Sequence, residues 1–291
     1  MKKISKDSCI YIMSPNNKPV LHISPGEQVQ FETWDALEGQ LGSHNSSFDG
    51  LDWSRVNPAT GPVYVEGAEP GDILSVHIDK IDVDSPGVVV CGMGMGVMGS
   101  VLDGYSVKVV PIKGDSALFS DIIHLPLNKM IGVIGTAPKD EDIPCGAPDY
   151  HGGNMDCKEI KENATVLLPV NVPGALLALG DLHAVMADGE IGVTGVEVSG
   201  NVTVTIDLIK GKSWPLPMIK NDTHVMALAS HVDLDIAVEM AVANMVKYLE
   251  SVGFDIYDAT MLISLAGDVQ ICQVVDPKKT VRVSFPLSIV G

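Results

Sequence analysis

The chain has 291 residues, 46% of them hydrophobic, enough to bury a sizeable core. A net charge of −18, from 19 Lys plus Arg against 37 Asp plus Glu, excludes partners held through phosphate contacts, so neither nucleic acid nor an anionic membrane is expected. Five cysteines without a CxxC pair predict reduced thiols and a cytoplasmic location. The opening MKKISKDSCIYIMSP has no continuous apolar run of signal-peptide type, and no segment reaches the ~20 apolar residues of a membrane-crossing helix.

In chain order, the first part reads as short strands punctuated by Gly and Pro. PVLHISPGEQVQFETWDAL (19–37) alternates apolar and polar residues and breaks at Pro25-Gly26. GPVYVEGAEPGDILSVHIDKIDV (61–83) predicts two strands joined by a Pro70-Gly71-Asp72 turn. CGMGMGVMG (91–99) is too glycine-rich for a helix or strand of its own. It is either a flexible apolar loop over a pocket or an ordinary surface loop. SVKVVPIKGD, ATVLLPVNV and NVTVTIDLIKG continue the strand pattern. In the last of these Val202, Val204, Ile206 and Leu208 share one face by the two-residue period.

Near residue 232 the period lengthens. Ile236, Met240, Val242, Met245, Val246 and Leu249 recur at helical spacing, with Asp233 placed to cap the start and Gly253 just past the end. A second helix is predicted after Asp255 through Tyr257, Met261 and Leu265, stopping at Gly267-Asp268. VQICQVVD and TVRVSFPLSIV then return to strand. The predicted class is mainly β (α+β), an antiparallel β-sandwich-like assembly with a helical hairpin inserted near the C-terminus. One unit spans 1–291, with a β-rich part at 1–225, the hairpin at 232–267 and closing strands at 268–290.

Three polar clusters are candidates for chemistry. GSHNSSFDGLDW (42–53) carries His44, Asn45, Asp49 and Asp52, and PDYHGGNMDC (148–157) carries His151, Asn154 and Asp156. GDLHAVMADGE (180–190) gathers Asp181, His183, Asp188 and Glu190. On a strand Asp181 and His183 share one face, and imidazole with carboxylate is a donor set that divalent metals accept. Asp188-Gly189 also suits a tight hairpin turn. Such a hairpin would leave His183 and Glu190 ~13 Å apart along the strand, too far to share one ion. A metal site therefore requires a wide, irregular loop from about Val185 to Gly189. The paired glycines of HGGNMD suggest close approach of backbone to a ligand.

TGPVYVEGAEPGD (60–72), HGGNMD (151–156), LLPVNVPGALLALGDLHAVMADGE (167–190) and QVVDPKKTVR (273–282) together resemble the acetamidase/formamidase family. The resemblance runs from about residue 20 to the end. It implies a mainly-β fold with a helical pair, a homodimer, and hydrolysis of a short aliphatic amide to carboxylate and ammonia. Asp156, Asp181, His183 and Glu190 match the family's motifs; His44 and Asp49 sit in a looser one. Met186 and Ala187 stand where the family is expected to carry Gln and Gly, which bears on substrate preference.

A divalent metal is expected, zinc first and calcium as the alternative because carboxylates outnumber imidazoles. The expected ligands are His183, Asp156, His44 and Asp49. Glu190 and Asp181 are expected to be catalytic, with Glu190 in proton transfer and Asp181 alternatively a ligand. His151, Asn154 and Asp188 are expected around the substrate. Two other functions stay open. Cys157, with Lys158 and Lys161 as nearby cations, could act as a thiol nucleophile. An acidic β-sandwich could instead bind calcium or a small ligand without turnover; no GxSxG elbow is present.

Overall fold

The structure is a computed structural model and describes residues 1–42 and 48–290, apart from the side chain of Asp49. Among these, two nine-stranded sheets dominate. The first runs in the order Lys2–Ile4, Glu27–Thr33, Gly200–Ile209, Ile73–Val83, Thr165–Pro169, Met218–Lys220, His224–His231, Lys279–Pro286 and Asp268–Gln273. The second is centred on Leu177–His183, which pairs with Met130–Gly135 on one side and with Ala59–Val65 and Glu197–Val198 on the other. One core joins the inner faces: Val29, Phe31, Val76 and Val204 from the first sheet meet Val63, Ile131, Leu179 and Val198 from the second. Removing a large side chain such as the fully buried Phe31 would cost about 3–5 kcal/mol, because such a core cannot close around the void.

The mainly-β, sandwich-like arrangement agrees with the sequence pattern. It is not purely antiparallel, since Lys2–Ile4 and Leu21–Ile23 each join a neighbour in parallel. The strands flanking Pro70-Gly71-Asp72, Ala59–Val65 and Ile73–Val83, lie in opposite sheets, so that turn carries the chain from one layer to the other. Val202, Val204 and Ile206 point into the core as expected. The last four residues of TVRVSFPLSIV, read as strand, form a short helix, Leu287–Val290.

Helices α1 (Leu234–Ser251) and α2 (Ile256–Ala266) start where the sequence predicts. The Asp233 and Asp255 side chains each accept two backbone N–H bonds, a cap of ~1 kcal/mol. Their buried faces differ from the expected stripes. In α1, Met245 and Leu249 are buried, but with Ala237, Ala241 and Tyr248, while Ile236 and Met240 are each 41% exposed. In α2, Ala259 and Ile263 are buried, while Tyr257, Met261 and Leu265 face solvent. Small alanines let α1 lie close on strands His224–His231 and Lys279–Pro286, and this docking overrides the more hydrophobic stripe. No helix among the described residues is long and apolar enough to cross a membrane.

Candidate active site

The whole strand Leu177–His183 is buried, and Asp181 and His183 project from it into one cavity, as the two-residue period requires. Beyond His183 no tight hairpin forms. Glu197 pairs directly with His183, and the intervening residues make a wide loop, fixed where the Ala184 N–H donates to the Val196 carbonyl and the Val196 N–H donates to the Val185 carbonyl. The loop is anchored from outside by Gly189, whose N–H donates to the Cys272 carbonyl at 2.8 Å. It brings Glu190 Oε1 to 3.9 Å from His183 Nδ1.

On the other ring nitrogen, Nε2 lies 3.2 Å from Asp181 Oδ1, 3.1 Å from Glu197 Oε2 and 3.7 Å from Asp156 Oδ1. One N–H cannot serve three carboxylates. Only the Asp181 contact has hydrogen-bond geometry, so Glu197 Oε2, Asp156 Oδ1 and His183 Nδ1 remain buried without partners. Asn154 and Asp276 also line the cavity, joined by Nδ2 to Oδ2 at 3.1 Å. Asn57 Nδ2 approaches Asp181 Oδ2 at 3.4 Å.

This crowding sets the electrostatics. Burial, then Asp276 and Asp181, push the Asp156 pKa well above the usual carboxylate range. Burial and Asp156 do the same for Glu190, and burial with Glu190 for Asp276. Burial is also the largest cause that raises Glu197, to about 8. Burial opposes charge on His183, but Glu197 and Asp181 raise its pKa well above the ordinary value. Burial is the largest single influence on Asp181 and opposes its charge, but the His183 charge and hydrogen bond, with Glu197, together hold its pKa below the ordinary value. Buried like charges repel unless a cation sits among them.

The local backbone is unusual at the same place. Asn57, Asp156, Asp181, Glu190 and Val193, all lining the cavity, have φ of 52°, 41°, 57°, 45° and 88°. Side-chain-bearing residues hold such left-handed conformations only where the surroundings enforce them. Opposite Asp181 stands Gly132. A Cβ there would lie 2.5 Å from Asp156 Oδ1 and 2.6 Å from Asp181 Oδ2, so the missing side chain is what gives both carboxylates their space.

Of the residues singled out in the sequence, Asp156, Asp181, His183, Glu190 and Asn154 line this one cavity of ≈ 160 Å³. His151 and Asp188, expected around the substrate, do not. His151 is fully buried with both nitrogens unpartnered, and Asp188 is paired with Arg282 and Lys158. The glycines Gly152 and Gly153 lie close against backbone: a Cβ on either would strike the Ile134 or Ala147 carbonyl at 2.4 Å. Cys157 is fully buried beside Cys272 and Arg282 and does not line the cavity, so its thiol has no access to a substrate there. His44 and the Asp49 side chain lie outside the described residues.

Sequence reasoning passed over Glu197 and Asp276. Glu197 carried a signal, an acid set directly between Val196 and Val198. Asp276 lay within QVVDPKKTVR, with nothing local to mark it.

A mainly-β chain with acids and an imidazole converging in a buried cavity has the form of a hydrolase. Residues 11–145 and 143–291 match the model of the Acetamidase/Formamidase family, and the chain belongs to that family. It is similar to the crystal structure of an acetamidase from Bacillus halodurans, with 45% identity, a TM-score of 0.97, and coverage of 99% of this chain and 98% of that one. It is 24% identical over 335 residues to the formamidase of Methylophilus methylotrophus, covering 87% of this chain and 81% of that protein. It is 27% identical over 255 residues to the acetamidase of Mycolicibacterium smegmatis, covering 65% of this chain and spanning 63% of that protein's length.

Proposed function

We propose that this cavity hydrolyses a short linear amide, RCONH₂ plus water giving RCOO⁻ and NH₄⁺, with a divalent cation held among its acids. The observation that carries this is the convergence of Asp156, Asp181, Glu190 and Glu197 on one imidazole, with three donor atoms buried and unpartnered and Asp276 lining the same cavity. Family membership supports the amide as substrate.

Asp156, His183 and Glu190 form one group whose donor atoms lie within 4.8 Å of one another, and Asp181, His183 and Glu197 form a second. A mixed imidazole–carboxylate set suits zinc, whereas calcium favours all-oxygen shells, so zinc is the expected ion and catalysis is favoured over a passive calcium site. When bound, such an ion supplies Lewis acidity to an amide carbonyl and acidifies water.

The protein's own groups handle the protons. Amide nitrogen leaves only when protonated. Glu190, whose affinity for a proton is raised by burial and by Asp156, is suited to take a proton from water and deliver it to that nitrogen. Asp181 holds His183 in place through its hydrogen bond. Asn57, bonded to Asp181, fixes the carboxylate from the other side. Asn154 and Asp276 present a linked amide and acid to the bound substrate.

The homodimer and the cytoplasmic location belong to the same proposal. The exposed apolar side chains Ile236, Met240, Tyr257, Met261 and Leu265 on α1 and α2 support a self-association surface, which sedimentation would test. The function is tested by ammonia release from formamide and acetamide with the purified protein, after chelation, and after zinc or calcium addition. Ammonia release that chelation abolishes and zinc restores is expected. No release from any amide, or a rate indifferent to chelation, overturns it.

A further inference from the structure

The cavity has two unlike kinds of lining. Besides the acids it is bounded by the apolar side chains of Leu37, Phe48, Trp53, Val90, Met95 and Val193. Phe48 is braced by stacking on Tyr105 at 4.7 Å and by edge contact with Trp53 at 5.6 Å.

One short turn ties the two kinds of lining together. Val193 donates its N–H to the Glu190 carbonyl at 3.0 Å, so the segment that presents the acid also presents an apolar side chain to the wall. Val193 is β-branched and sits at φ 88°, a conformation costing roughly 1–3 kcal/mol and kept only where packing enforces it. Met95 arrives on the glycine-rich 91–99 segment, which Val97 ties to the same turn by donating to the Ile191 carbonyl at 2.9 Å.

Size distinguishes the occupants. A single water needs roughly 10–15 Å³ of such space. The ≈ 160 Å³ cavity therefore holds on the order of ten solvent-sized groups. Formamide and acetamide have only three and four non-hydrogen atoms, and with the carboxamide among the acids they would leave most of the apolar lining facing water. Filling it with hydrocarbon is favourable.

We infer that the preferred substrates are primary amides with an apolar acyl group of about four to six carbons, the carboxamide among the acids and the acyl chain against Leu37, Phe48, Trp53, Val90, Met95 and Val193. This rests on the amide-hydrolase function proposed above and adds to it the class of acyl group.

The test is kcat/KM over formamide, acetamide, butyramide, isovaleramide and hexanamide, for the wild-type protein and Met95→Trp. Each buried methylene should raise kcat/KM about fourfold until the wall is filled, giving on the order of fiftyfold between acetamide and a five-carbon amide. Met95→Trp should lower the isovaleramide-to-acetamide ratio at least tenfold, with a melting curve to confirm folding; Met95→Ala, which shortens the wall, should lower it several-fold. A wild-type series that is flat or falls from formamide upward overturns the inference while leaving amide hydrolysis standing. Ammonia from none of the five overturns both.

Discussion

The guanidinium of Arg282, fully buried in the closing strand Lys279–Pro286, holds both carboxylate oxygens of Asp188 at 2.7 and 2.8 Å. Asp188 lies two residues before Glu190, on the loop that returns the chain from His183 to Glu197. The pair therefore pins a catalytic candidate to a strand nearly a hundred residues away in sequence. Lys158 reaches the same carboxylate at 2.8 Å from a more exposed position.

The two ion pairs should differ in weight. Asp188→Asn would leave the buried Arg282 charge without its partner and destabilise by about 3–5 kcal/mol. Lys158→Met, at a partly exposed pair, should cost under ~1 kcal/mol. Denaturant unfolding of both variants checks this; equal losses would show that burial does not set the difference.

Glu190→Gln keeps shape and removes the transferable proton. Turnover of any accepted amide should fall at least about a hundredfold, with metal content per chain unchanged. Elemental analysis beside the rate separates two roles: if the metal leaves with the carboxylate, Glu190 is a ligand.

Gly132→Ala places a methyl group 2.5 Å from Asp156 Oδ1 and 2.6 Å from Asp181 Oδ2. Both carboxylates must move. The strain should cost about 1–3 kcal/mol, while metal affinity falls about 10- to 100-fold. A metal titration compared with a melting curve distinguishes loss of the site from loss of the fold.

His151 gives a pH dependence separate from the cavity. Burial is the main cause that pulls its pKa down to about 4, whereas an unfolded histidine titrates near 6.5. Between those values the unfolded chain binds the proton and the folded one refuses it. Stability should therefore be lost as pH falls from ~6.5 to ~4, by about 3 kcal/mol in all. The difference between wild type and His151→Leu isolates the histidine. If the two lose stability in parallel from pH 6.5 to 4, His151 is not the cause.

Local pattern revealed much of this molecule. Strand alternation in NVTVTIDLIKG, the Asp233 and Asp255 caps, and the shared face of Asp181 and His183 are properties of a few consecutive residues, so they can be read before folding. The helix faces were not legible. The hydrophobic stripe of α2 marks Tyr257, Met261 and Leu265, yet Ala259 and Ile263 are the side chains that are buried, in the cluster shared with α1 and the sheet. Which face docks depends on the shape of the partner surface, and that surface is assembled from distant strands.

The same division holds for the site. The sequence alone determined a strand-rich acidic chain and placed Asp156, Asp181, His183 and Glu190 in short motifs of the right chemistry. Only the tertiary structure decided that the loop after His183 is wide, that Asp188 belongs to Arg282 rather than to the cavity, and that Glu197 and Asp276 complete the acid cluster. The reason is that side-chain direction follows from local backbone period, whereas convergence across many tens of residues depends on how two sheets stack and where a closing strand pairs.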